Sequence, residues 1–107
     1  MSNVSAQASA PGELSSLLEI LRQHLPELAR RYHIRSLGLF GSYARQEQKP
    51  NSDLDVLVEF EQMPGLFTYV ELQERLSELL RVPVDLVHRP DLKPGIGERI
   101  LAEVIII

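Results

Sequence analysis

Two short apolar runs and the polar stretch between them constrain this chain most. Ser36-Leu37-Gly38-Leu39-Phe40 reads as a strand that stops at Gly41, and Asp53 to Phe60 reads as a second, ended by Met63-Pro64-Gly65. Alternation puts Leu54, Val56, Val58 and Phe60 on one face of that second strand and Asp53, Asp55, Leu57 and Glu59 on the other. Between the strands, Ser42 to about Glu47 predicts one or two turns of helix, and Lys49-Pro50-Asn51-Ser52 predicts a turn. Gly41-Ser42-Tyr43-Ala44-Arg45 and the Asp53-x-Asp55 pair are thus close enough in sequence to reach one ligand.

Helical periodicity flanks this unit. Leu14, Leu17, Leu18, Leu21 and Leu25 share one face, and Pro26 suits the first turn of a new helix. The spacing therefore predicts a helix over about 13–24 and a shorter one over about 26–32. Another runs from about Leu66 to Leu80 with Val70, Leu72, Leu76, Leu79 and Leu80 inward, and Val82 to Val87 is the third strand. Strand–helix–strand order over 53–87 favours a right-handed crossover between parallel strands. A last helix from about Gly95 to Glu103 turns Ile96, Ile100 and Leu101 inward, ahead of Val104-Ile105-Ile106-Ile107. The expected fold is α/β (α+β): a small mixed sheet of about three strands flanked by helices, in the order α-β-α-β-α-β-α. Residues 1–12 read as a disordered lead-in and 13–107 as one domain.

Charge and composition narrow the function. Eleven basic against fifteen acidic residues give a net charge of −4, which disfavours general nucleic-acid binding. The absence of cysteine rules out disulfides and thiolate metal sites. No apolar run approaches the ~20 residues of a membrane span, and the N-terminus lacks a signal-peptide core, so a cytoplasmic protein is expected.

The candidate chemistry lies in the strand-turn unit. Gly41 has no Cβ, so backbone can approach a ligand closely there, and Ser42 follows where a helix start attracts anions. Arg45, three residues on, reaches phosphate or braces the loop. The bland alternative is an ordinary strand-to-helix turn with a Ser cap. Asp53 and Asp55 point to one face roughly 7 Å apart, and such a pair repels unless a cation sits between. Hard oxygen ligands of this kind suit Mg²⁺. Asp85 interrupts the third apolar strand and would complete a three-carboxylate set if it faces Asp55. The other candidates carry less: His88 reads as an exposed loop residue, Glu59 as a solvated rim residue and Tyr43 as a packing residue. His24 and His33 sit near expected helix ends, where they favour the dipole.

Gly41-Ser42, Arg45, Asp53-x-Asp55 and a third Asp, Asp85, on a later strand resemble the motif set of the minimal nucleotidyltransferases in the DNA polymerase β-like superfamily. The resemblance covers about residues 13–104. It implies transfer of a nucleoside monophosphate, most often AMP from ATP, to an acceptor hydroxyl with a pair of Mg²⁺ ions. In it, Gly41 and Ser42 hold the β/γ-phosphates, Asp53 and Asp55 ligate both metals, and Asp85 completes the catalytic metal site. One departure is Gln46, where many relatives have glycine; it bears on how the short helix ends.

The catalytic core uses up the ordered residues, so the acceptor is expected from another chain or an oligomer interface. Small members of this kind are commonly antitoxins paired with an all-helical HEPN toxin, silenced by AMP added to a tyrosine. Two other readings stay open: a binding module that neutralises its partner by occlusion, and a transferase acting on a small molecule such as an aminoglycoside.

Overall fold

The computed structural model describes residues 13–107; the expected lead-in over 1–12 lies outside the described residues. Helix α1, Leu14–Tyr32, forms because Leu17, Leu21, Leu28 and Tyr32 recur on one face and are buried together. It runs unbroken through Pro26, which corrects the expectation of two helices. Pro26 removes the one N–H that would reach the Arg22 carbonyl, but both residues are exposed, so water can serve that carbonyl. Burial of Leu21 and Leu28 on either side keeps the helix in one piece. It stops at His33, which takes a left-handed conformation (φ 57°, ψ 46°) and donates its N–H to the Ala29 carbonyl.

Strands β1 (Ile34–Phe40), β2 (Leu54–Phe60), β3 (Val84–His88) and β4 (Ile105–Ile106) form one mixed sheet in the order β3-β2-β1-β4. β1 runs antiparallel to β2 and β4, whereas β2 and β3 are parallel and joined through helix α2, Leu66–Leu80. The sheet therefore has four strands rather than about three. β4 is two residues long and exists by pairing with Gly38 and Leu39, a relation that no local pattern encodes.

Helices α1 and α2 cover one face. Leu17, Leu21, Leu28, Leu72, Leu76 and Leu80 pack on Leu37, Leu39, Leu54, Val56 and Val58, all buried. Each such side chain contributes about 1.5–3 kcal/mol when fully buried. Val70, expected inward, is 39% exposed. Two residues before buried Leu72, it is rotated by about 200° around the helix. The last helix, α3 (Ile96–Glu103), also departs from expectation, with Ile96 58% and Leu101 41% exposed. It buries Gly97 against Leu92 instead of an apolar stripe. Among the described residues, no helix is long and apolar enough to cross a membrane.

Candidate active site

Topology gathers the candidate residues at one end of the sheet. β1 ends where β2 begins, so Phe40 is the register partner of Asp55 and Gly41 lies just beyond it. β2 and β3 run in parallel, so Asp55 is paired in turn with Asp85. Adjacent strands lie about 4.8 Å apart with paired side chains on one face. Asp55 thus has the Gly41 turn on one side and a second carboxylate on the other.

Gly41 is required there twice over. Its φ of 79° lies in the left-handed region, and a Cβ would run into the Asp55 carboxylate. The residues after it form a single tight turn, not the one- to two-turn helix expected. The Arg45 N–H donates to the Gly41 carbonyl at 3.1 Å, Gln46 to Tyr43 at 3.1 Å and Glu47 to Ser42 at 2.8 Å. The last two bonds are the crossed pair of a Schellman ending, with Gln46 at the left-handed position, φ 58°. The turn stops after one winding because that ending closes it. Tyr43 anchors the turn from below and is buried in the core.

The three carboxylates differ in setting. Asp55 is half-buried, whereas Asp53, one residue before β2, and Asp85 are exposed. Among the described residues, no group of three His, Asp or Glu side chains is drawn together as a ready metal cage. Burial, then the Asp85 carboxylate, then that of Asp53 push the Asp55 carboxyl up to about 6, against the pull of Arg45. That excess negative charge is the condition a divalent cation relieves. Oxygen-only donors with room for water and phosphate match what Mg²⁺ takes, so these residues fit the ion.

Arg45 is held by carboxylates of its own. Its Nε donates to Glu47 at 3.1 Å, and its Nη1 donates to both oxygens of Glu103 at 3.1 and 3.2 Å. Glu103 also accepts the Gly41 N–H at 2.8 Å. That bond first, opposed by burial and aided by the Arg45 guanidinium, holds the Glu103 carboxyl below its usual value. Glu103 is a site residue that sequence reasoning missed. Its one signal was an acid in the last turn of a helix, where the dipole disfavours it.

The other residues singled out in the sequence are structural. His88 is not an exposed loop residue: it ends β3, lies 5.7 Å from the Phe60 ring and bonds Asp91 through Nδ1 at 3.2 Å. Glu59 sits between Arg89 at 3.0 Å and Arg35 at 3.6 Å. His24 lies inside the continuous helix α1, not near an end, and donates Nδ1–H to the Ile20 carbonyl at 2.9 Å. His33 is the cap of α1.

Residues 21–107 match the family model described as the nucleotidyltransferase domain. The chain belongs to the nucleotidyltransferase family. This nucleotidyltransferase is 46% identical over 92 residues to protein adenylyltransferase MntA of Thermococcus cleftensis, covering 86% of this chain and 93% of that one. It superposes with a TM-score of 0.73 on a solved structure provisionally named a minimal nucleotidyltransferase, 36% identical, over 87% of this chain and 94% of the other. It also shares its fold with a chain from a solved complex of a tri-AMPylated Shewanella oneidensis HEPN toxin and an MNT antitoxin. There the TM-score is 0.55 at 20% identity, over 87% of this chain and 66% of that one.

Proposed function

We propose that this nucleotidyltransferase moves AMP from ATP onto a tyrosine hydroxyl of a HEPN-type partner protein in the cytoplasm, and thereby acts as an antitoxin. The observation that carries this reading is Asp55, placed between the Gly41 turn and Asp85 by the register of three strands. A carboxylate set beside a glycine turn brings a cation-binding group to the place where a triphosphate can approach backbone. The names borne by the T. cleftensis relative and by the AMPylated toxin complex support protein as the acceptor and AMP as the group moved.

In this reading Ser42 and the backbone of the turn orient the β- and γ-phosphates, and Arg45 offsets their charge. Asp53, Asp55 and Asp85 hold Mg²⁺, which when bound neutralises triphosphate charge and acidifies the acceptor hydroxyl. The acceptor oxygen bonds to the α-phosphorus as the bond to the β-phosphate oxygen breaks and pyrophosphate leaves. Asp85, exposed beside Asp55, takes the hydroxyl proton.

Intact mass of a HEPN-type partner protein, taken after incubation with the chain, Mg²⁺ and ATP, tests the proposal. The expected result is a gain of one or more AMP units that disappears with Asp55→Asn. A stable complex with no gain in mass would replace transfer with occlusion.

A further inference from the structure

One carboxylate at the Gly41 turn stands where its own helix opposes it. Glu103 is the last residue of α3, at the negative end of the helix dipole. Its oxygens are held from outside the helix, by the Gly41 N–H at 2.8 Å and by Arg45 Nη1 at 3.1 and 3.2 Å. A backbone N–H and a guanidinium converging on two oxygens is the donor set by which proteins seat phosphate. A hollow of about 230 Å³ opens beside this contact, and Phe40, Arg99 and Ile100 line it together with Gly41, Arg45 and Glu103.

We infer that Glu103 occupies the seat of a triphosphate oxygen, so that its side chain must leave when the nucleotide enters. This rests on the reading of the Gly41 turn as the phosphate site. A backbone N–H carries one hydrogen, and Gly41 cannot give it at full strength to Glu103 and to a phosphate at once. Even a phosphate held by Ser42 alone would lie beside the Glu103 charge, which repels it. Glu103 therefore lowers affinity for triphosphate, and it does so through the very groups that make the seat. Only its side chain has to move: the Glu103 backbone leads directly into Val104, whose N–H stays bonded to the Ile100 carbonyl at 2.9 Å. The residue sets how much nucleotide is needed before the site fills, and it discriminates in favour of ligands with phosphates beyond the α position, which alone can replace it.

The opposite role is a brace, in which Glu103 holds Gly41 and Arg45 ready for the ligand. The two roles differ in the sign of one measurement. Calorimetric titration of the non-hydrolysable triphosphate AMP-PNP with Mg²⁺ would be run on the full chain and on Glu103→Gln and Glu103→Ala, with AMP as a control. The expected result is triphosphate binding about tenfold tighter in Glu103→Ala, a smaller gain in Glu103→Gln, and little change for AMP. Glu103→Gln keeps an acceptor for the Gly41 N–H and so guards against misfolding of the alanine variant. Triphosphate binding that is unchanged or weaker in both variants, with their melting transitions intact, overturns the inference and makes Glu103 a brace. Binding of triphosphate by neither the unaltered chain nor either variant overturns the phosphate reading of the turn itself. Binding that appears only in the variants supports the displacement.

Discussion

Asp55 carries a cost in the folded chain. Its carboxyl is pushed up to about 6 from an ordinary 3.8, so the folded chain binds a proton more readily than the unfolded one. The resulting stabilisation is fully present below about pH 3.8 and is lost as pH rises through about 6. Above that, ionised Asp55 opposes folding. The full displacement would be worth about 3 kcal/mol in a buried group, and solvent access to a half-buried one reduces this to about 1 kcal/mol. Asp55→Asn should therefore raise the melting temperature in EDTA by several degrees at pH 7.5 and leave it nearly unchanged at pH 4. Equal gains at both pH values would show that charge is not the cause. At this scale Asp55 was legible as a candidate, because an acid inside an apolar strand asks for a reason. Glu103 was not legible, since its partners Gly41 and Arg45 lie 62 and 58 residues away and only the fold reveals them.

Helices and strands were readable where a period spans several turns or pairs. The alternation over 54–60 and the leucine spacing of α1 and α2 are borne out. Reading failed where local chemistry and tertiary packing disagree. Pro26 argues for a break, yet buried leucines on both sides outvote it. In α3 the apolar residues promise a buried stripe, but the helix docks through Gly97 and Glu103, leaving Ile96 exposed. The Gly41 turn supplies a test on this scale. Gln46 sits at φ 58°, where a Cβ is disfavoured and glycine is at ease. Gln46→Gly should stabilise the chain by up to about 1 kcal/mol, read from urea unfolding, because relief of the strained backbone exceeds the added freedom of the unfolded state. A loss of stability would mean that the Gln46 side chain holds the turn by contacts of its own.

The whole molecule joins segments far apart in sequence into one sheet, and its C-terminal residues close one edge. Val104 lies over Gly38: a Cβ there would meet Val104 Cγ2 at 2.6 Å and the Ile105 carbonyl at 3.1 Å. Gly38→Ala should cost about 1–3 kcal/mol by overpacking. Val104→Ala in the same chain should return part of that loss, with a coupling of about 1 kcal/mol in a double-mutant cycle, because it removes the nearer obstacle and leaves the backbone one. Simple additivity would show that β4 is not seated on β1 in solution. The sequence carried the right class of fold at this scale but not the fourth strand, whose two residues gain their identity from partners 66 and 68 positions away.

The pairing of Asp55 with Asp85 also bears on how the chain reaches its fold. Side chains alternate along a strand, so a slip of one residue in β2 or β3 would turn a carboxylate under the leucines of α1 and α2. Such a slip would bury a charge with nothing to answer it, at a cost of several kcal/mol. The acids that equip the site therefore also proofread the sheet, since wrong alignments are rejected by the same charges that the right one leaves facing out.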